Sequence, residues 1–480
     1  RIAAGINLSF WPAGAIFRKA GAFFIRRSFK GNRLYSTVFR EYLGLLFERG
    51  YSVKYYTEGG RSRTGRLLAP KTGMIAMTLQ SLLRGIDRPL TFVPVYIGYE
   101  HVMEVGTYHK ELSGGAKKGE SIIGVFKAIK NLRNYGKGYV NFGEPININQ
   151  FLNEQVPDWK SAIDPVEPQK PEWLTPTVNQ LAGNIMTKIN RSAALNGVAL
   201  VSLILSAAEN KALAQTELET QLDFFLNLQR NAPYSEKLTV PSDSGAELLA
   251  HVIGLGKVTL HNDSFGAIVS LTGSAILEMR YYRNNILHAY MLPSILCRLL
   301  NNTVKIQTET LIEHTKMLVS LVKTELFLWQ NEDDVAEQVT QTLQVLQQSA
   351  TIEQNDDGFW SLSNDSQARS NIHLMAECCD ETLQRFAIII SLMGRLSPIS
   401  STELEEKIVT IAKRLSVLNN INAPEFIDKK AQESLINTMK FQDYINEDHQ
   451  GQLIISPKMQ ALKPVVNNLV DIEVLQSIVR

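Results

Sequence analysis

The chain has only three cysteines in 480 residues, and two of them, Cys378 and Cys379, are adjacent. Adjacent cysteines pair poorly, so a disulfide framework is excluded and a reducing compartment is the simpler expectation. Long apolar runs are missing too: nothing approaches the roughly 18 consecutive apolar residues that cross a bilayer. The nearest stretch, Val198–Ala208, is short and interrupted by Ser202 and Ser206. It reads as a buried core helix, so any membrane contact of this chain is expected to be interfacial. No His-Glu-x-x-His or Gly-x-Ser-x-Gly occurs, which removes the usual signatures of zinc peptidases and serine hydrolases. His101, Glu104 and His109 lie near one another but without metal-ligand spacing, and read as loop residues. There is no initiator methionine, signal peptide or transit peptide, and Arg1 leads straight into an apolar stretch. The expectation is the interior of a longer protein.

Acidic residues are absent from residues 1–40 altogether. Residues 1–150 carry 23 Lys and Arg against 9 Asp and Glu, a balance of +14, while the remainder carries 26 against 39, a balance of −13. The net charge of +1 conceals this division. A basic part of that size implies an anionic partner: a phosphorylated substrate, a membrane surface or a nucleic acid.

Residues 1–150 alternate strand-like and helix-like pieces. Strands are expected at Ala22–Ile25, Tyr51–Tyr56, Leu90–Ile97 and Gly138–Phe142, with Pro94 breaking the third. Helices are expected at Leu34–Arg49, Thr72–Arg84 and Ser121–Asn134, the first burying Leu34, Val38, Tyr42, Leu45 and Leu46. This alternation predicts an α/β domain over 1–155, a mixed sheet with crossover helices. Five prolines between Pro157 and Pro176 mark 156–176 as a linker. From 177 to 480 the chain reads as mainly helical, including continuous helices over 197–214 and 374–395 and short strands at Lys257–Leu260, Ala267–Leu271 and Leu453–Ile455.

The most informative stretch is Glu58-Gly59-Gly60-Arg61-Ser62-Arg63-Thr64-Gly65-Arg66. Three arginines alternate with small residues behind a strand, an arrangement suited to a phosphate. Each charge-assisted bond there would contribute roughly 1.5–3 kcal/mol. Glu58 either pairs with an arginine or holds a substrate hydroxyl. Gly60 and Gly65 have P-loop spacing, but Arg66 and Leu67 replace the lysine and hydroxyl residue, and Pro70 discourages an immediate helix. A second cationic cluster, Arg26-Arg27-Ser28-Phe29-Lys30, ends the strand Ala22–Ile25, and alternation sends Arg26 and Arg27 to opposite faces. Upstream, Phe10-Trp11 and Phe17-Arg18-Lys19 mix aromatics with bases, as an interfacial surface does. No recognised nucleic-acid module accompanies them.

Taken together, these residues resemble the bacterial membrane-associated glycerol-3-phosphate acyltransferases. Gly21-Ala22-Phe23-Phe24-Ile25-Arg26-Arg27 is similar to that family's second motif, Glu58-Gly59-Gly60-Arg61-Ser62-Arg63 to its third and Val93-Pro94-Val95-Tyr96-Ile97 to its fourth. The likeness continues through Gly98–Gly106, Gly138–Pro145, Tyr281–Asn285 and Ile421–Phe426. The family's first motif, His-x-x-x-x-Asp, does not occur ahead of Arg26. The resemblance therefore implies a C-terminal part of the enzyme, inactive alone, with its base upstream of Arg1. It implies transfer of a fatty acyl group from acyl-CoA or acyl-carrier protein to the sn-1 hydroxyl of glycerol 3-phosphate. The product would be 1-acylglycerol 3-phosphate, an intermediate of phospholipid biosynthesis. By the motif match, Arg26, Arg27, Glu58, Gly59, Arg61, Ser62 and Arg63 bind the phosphate and glycerol, and Pro94 shapes the acyl side. No metal or bound cofactor is implied. The implied partners are the two substrates and an anionic surface on the cytoplasmic side of the inner membrane, with self-association an open option and no nucleic acid. Two other readings stand beside this one: a noncatalytic anion-binding scaffold at the membrane, and a nucleotide-dependent kinase resting on the P-loop spacing alone.

Overall fold

A computed structural model describes residues 1–26, 31–105, 135–166, 170–418, 429–470 and 472–479. Arg27, His109, the expected helix Ser121–Asn134 and all of Ile421–Phe426 lie outside the described residues.

The N-terminal segment begins with β1 (Ile2–Gly5), α1 (Ala13–Lys19) and β2 (Ala22–Ile25). β1 and β2 pair in parallel, with Ile2 opposite Ala22 and Gly5 opposite Ile25. On its other side, Ile2 bridges Lys54 in parallel. That bridge is what remains of the strand expected at Tyr51–Tyr56: Ala3 N–H donates to the Lys54 carbonyl and Lys54 N–H to that of Arg1. Next come α2 (Arg33–Glu48) and α3 (Gly73–Leu82). Asn32 caps α2 by accepting the Tyr35 N–H at 3.0 Å. Pro94 separates β3 (Thr91–Phe92) from β4 (Val95–Tyr99), as a residue without an N–H should. β5 (Gly138–Phe142) pairs with β4, and β6 (Ile146–Asn147) runs antiparallel to β3. Among the described residues, the expected mixed sheet is thus three separate two-stranded pieces.

The buried face of α2 differs from the expected one. Phe39, Leu43 and Leu46 are buried, whereas Leu34, Val38, Tyr42 and Leu45 are exposed. Both sets recur at helical spacing, so periodicity alone could not choose between them.

Two compact units make up the chain. The first comprises Arg1–Ser62, Leu67–Tyr96 and Phe142–Ile189; the second comprises Arg63–Arg66, Ile97–Asn141 and Asn190–Arg480. In the first, Ile75, Leu79 and Leu82 of α3 pack with α4 (Ile148–Gln155) through Ile148, Phe151 and Leu152, and with α5 (Leu174–Arg191) through Val178, Leu181 and Ile185. Each such buried aliphatic side chain contributes about 1.5–3 kcal/mol. Trp159, from the stretch expected to be a linker, is buried in the same core. The first unit therefore runs on past residue 155, through the stretch expected to be a linker.

The second unit is mainly helical. α6 (Gly197–Ala207) is buried on every side from Gly197 to Leu205, as its composition requires, and ends before the 214 boundary expected for it. α7 (Gln215–Asn231) and α8 (Gly245–Gly254) follow, the latter opened by a Ser244–Glu247 capping box that sequence patterning missed. β7 (Ala212–Ala214), β8 (Thr259–Asp263) and β9 (Gly266–Ser270) form an antiparallel sheet in the order β7-β9-β8. The longest helix among the described residues is α9 (Ala275–Asn301), which packs on α6. Beyond it lie α10 (Thr308–Leu326), α11 (Glu332–Gln348), α12 (Ser366–Glu377) and α13 (Asp380–Leu396). The expected single helix over 374–395 is therefore two, broken at Cys378-Cys379. No helix of the described residues is long and apolar enough to cross a membrane.

Candidate functional site

The arginine loop is built from its ends inward. Lys71 N–H donates to the Thr57 carbonyl at 2.7 Å, closing the loop at its base, and Gly59 N–H donates to the Tyr56 carbonyl at 3.1 Å. Gly59 has φ +61°, and a Cβ there would lie 2.7 Å from Cγ of Lys71. Glycine is required on both counts. Glu58 Oε2 accepts the Leu68 N–H at 2.9 Å. Burial raises the Glu58 carboxyl above its ordinary range, and the Leu68 N–H partly opposes that shift. The observed partner of Glu58 is thus the far side of its own loop. Its second oxygen retains the acceptor capacity a substrate hydroxyl would use. No helix follows Gly65 directly, since α3 begins only at Gly73, so the P-loop spacing does not produce a P-loop.

Within the loop, Arg61 is exposed and Ser62 and Arg63 are half-buried. Arg63–Arg66 belong to the second unit. Thr64 presents its carbonyl to Asn284 Nδ2 at 2.7 Å. Gly65 has φ +84° and lies so close to α9 that a Cβ would meet the Tyr281 carbonyl oxygen at 2.0 Å. Arg66 donates from Nη1 to Glu325 Oε1, and Arg385 donates from Nη2 to the same oxygen. Arg66 is therefore engaged by a carboxylate of α10, unlike the phosphate-facing lysine of a P-loop. The Tyr281–Asn285 segment, conspicuous in the sequence but without a role there, forms the seat of the loop tip.

The seat is braced in turn. Arg283 donates to Asn284 Oδ1 from Nε at 3.2 Å and from Nη2 at 3.0 Å. Glu381 receives Arg283 at 2.8 Å and a two-point contact from Arg280 at 2.6 and 2.9 Å. Burial would raise the Glu381 carboxyl, but Arg280 and Arg283 outweigh it and hold the group well below the usual carboxylate range.

The other expected site residues occupy the first unit. Arg26 follows β2, exposed, with its guanidinium carbon 4.8 Å from the Tyr35 ring centroid and its N–H donating to the Tyr35 hydroxyl at 3.1 Å. Pro94 is buried, and its carbonyl accepts the Gly143 N–H at 2.8 Å.

The Glu100-His101 pair has a different setting. Glu100 is 1% exposed; Oε2 accepts the Lys137 N–H at 2.7 Å and faces His251 Nε2 at 2.8 Å, and Oε1 accepts the Tyr139 hydroxyl at 3.1 Å. His101 stacks on Tyr135 and places Nδ1 2.8 Å from Nζ of Lys257. Burial brings the Lys257 ammonium down to about 8, with Glu278 and Glu100 opposing. Lys257 also reaches the Tyr282 hydroxyl at 3.2 Å, and that hydroxyl accepts the Val102 N–H at 2.9 Å. Among the described residues no three His, Cys, Asp or Glu converge as a metal site.

Two protein families match the chain: one described as "Acyltransferase" over residues 1–98, and one described as "Glycerol-3-phosphate acyltransferase C-terminal region" over residues 108–448. A protein of Colwellia psychrerythraea named glycerol-3-phosphate acyltransferase is 68% identical over all 480 residues, which cover 59% of that protein. A protein of the same name from Aeromonas hydrophila is 51% identical over 445 residues, 93% of this chain and 54% of its own. The chain thus spans between a half and three fifths of the length of these curated relatives.

Proposed function

The chain belongs to the glycerol-3-phosphate acyltransferase family, and on that premise we propose that it carries the part of the active site that holds glycerol 3-phosphate. The observation that carries this reading is the construction of the arginine loop. Within the first unit Glu58 and Gly59 are fixed just ahead of Arg61, and within the second Thr64–Arg66 are fixed just after Arg63. Arg61 and Arg63, with Arg27, engage the phosphate, Ser62 and the Gly59 backbone line the same ligand, and Glu58 orients a glycerol hydroxyl. Arg26, packed on Tyr35, is the other cation of the Arg27 motif available to the ligand, and Pro94 shapes the acyl side.

In the proposed reaction a histidine of a His-x-x-x-x-Asp motif upstream of Arg1 takes the proton of the sn-1 hydroxyl, and its aspartate orients it. The oxygen attacks the thioester carbonyl of acyl-CoA or acyl-carrier protein. Collapse of the tetrahedral intermediate breaks the carbon–sulfur bond, and the thiolate leaves to take up the proton. The products are 1-acylglycerol 3-phosphate and free thiol, and no further cofactor enters the scheme. The 480-residue chain by itself is expected not to turn over; robust turnover would refute this location of the base.

The reading also places the protein peripherally on the cytoplasmic face of the inner membrane. Trp11 and Ile16 in the first unit, exposed by 83% and 62% among basic neighbours, support it. The test of the site is Arg61→Ala in the chain joined to an upstream His-x-x-x-x-Asp segment. Losing one charge-assisted bond should raise KM for glycerol 3-phosphate roughly ten- to hundredfold, with a smaller change in kcat. Ordinary kinetics would remove Arg61 from the site. Vesicle binding without saturable glycerol 3-phosphate binding would favour the noncatalytic scaffold.

A further inference from the structure

We propose that Glu325 and Asn284, on two helices of the second unit, are positioning residues that set the anion-binding geometry of Arg63. This rests on the reading of the loop as the glycerol 3-phosphate site. Two relays converge on the loop tip, and both start on one turn of α13. In the first, Glu381 holds Arg283, which holds Asn284 Oδ1 and so turns Nδ2 toward the Thr64 carbonyl. In the second, Arg385 and Arg66 share Glu325 Oε1. Glu381 and Arg385 stand four residues apart, the spacing that puts side chains on one helix face.

The chemistry explains why the tip needs both. A loop with three arginines in six residues repels itself, and a long side chain gains little from a ligand it must first be ordered to meet. Glu325 offsets part of the charge of Arg66, which is 12% exposed, and is shared with Arg385, 5% exposed. The pairing is therefore largely shielded from solvent screening. Asn284 fixes the peptide carbonyl directly after Arg63. The segment on the C-terminal side of Arg63 is thus held by a neutral hydrogen bond to the Thr64 backbone and a charged one to the Arg66 side chain. Neither Asn284 nor Glu325 is assigned to touch the substrate; they act through the segment they hold.

The test is calorimetric titration of the 480-residue chain with glycerol 3-phosphate, alongside its melting midpoint. Arg63→Ala should weaken binding at least tenfold. Glu325→Gln, near-isosteric, should weaken it about tenfold and Asn284→Ala about threefold, with Glu325→Gln causing no further loss in an Arg63→Ala background. Residues that merely support the fold would lower the midpoint and weaken binding by the same factor in both backgrounds, and that result overturns the inference. So does unchanged binding in Glu325→Gln while Arg63→Ala binds weakly, which leaves the site reading intact. Absent saturable binding, or an Arg63→Ala variant that binds normally, instead defeats the site reading on which the inference rests. Should Glu325→Gln fail to fold, Arg66→Gln removes the same contact while leaving Glu325 paired with Arg385, and the same outcomes apply.

Discussion

Gly65→Ala should cripple the arginine loop while leaving most of the protein intact. Two costs arise at once. The backbone sits at φ +84°, where an L-residue with a Cβ loses about 1–2 kcal/mol. The new methyl would also lie 2.0 Å from the Tyr281 carbonyl oxygen, far inside van der Waals contact. That carbonyl belongs to α9, whose neighbouring Tyr282 and Arg283 are buried, so the helix is less able to yield than the loop. The tip must withdraw by about an ångström to reach ordinary contact. At that displacement the 2.7 Å bond from Asn284 to Thr64 lengthens past useful range, forfeiting about 0.5–1.5 kcal/mol. Weakening of the charged Arg66 contact adds a loss of about 1.5–3 kcal/mol. Combined losses of about 3 kcal/mol or more lie in a loop whose ordering ligand binding must then supply, so affinity should fall by roughly a hundredfold. The assay is glycerol 3-phosphate titration with Gly60→Ala as the comparison, because a Cβ at Gly60 meets nothing within 4 Å. Wild-type affinity in Gly65→Ala would refute both the close approach and the seat argued from it.

Two predictions concern protons. His288 is fully buried, and burial brings its imidazole down to about 4, partly opposed by the Asn190 carbonyl. Between pH 6.5 and 4 the unfolded chain binds the proton and the folded one does not, so stability falls as pH falls through that window, by about 3 kcal/mol in all. Chemical denaturation of His288→Asn should show that portion of the acid slope flattened; an unchanged slope would move the cause elsewhere. Lys257, brought down chiefly by burial to about 8, behaves likewise at higher pH: its unfolded form holds the proton up to about 10.5, so stability rises from pH 8 towards 10.5. Lys257→Met should remove that rise in denaturation midpoints measured across the range, and a persistent rise would exclude Lys257 as its source.

What could be read from sequence depended on the range of the interactions involved. β2 and β5 fell at their expected bounds because short, aromatic or β-branched segments between turns specify strands locally. Pro94 ended a strand for the same local reason. The apolar run of α6 implied complete burial, and that is what the helix has. The failures are cases where partners decide. α2 carries two apolar stripes, and only the tertiary fold selects Phe39, Leu43 and Leu46 for the interior. Tyr51–Tyr56 has strand composition, yet Lys54 alone finds a bridging partner. The proline-rich stretch looked like a tether because composition does not reveal that Trp159 has a core to enter. At the site, the motif match marked Glu58–Arg63 as a group. It could not separate Arg66 from its neighbours, since Glu325 and Arg385 lie hundreds of positions downstream. The signal available was the Tyr281–Asn285 segment, whose polar asparagines in a long core helix required an explanation.

The assignment of Arg63–Arg66 to the second unit has a consequence for how such chains can be recombined. The two family matches meet near residue 100, which invites splicing a 1–98 segment from one relative onto the helical region of another. The splice would separate a four-residue plug from its socket, because Gly65 and Arg66 lie in the donor segment while Tyr281, Asn284, Glu325 and Arg385 come from the recipient. Such hybrids should retain affinity when plug and socket are transplanted as a set. The heritable module for the arginine loop is therefore discontinuous, and a junction placed by sequence families alone cuts through it.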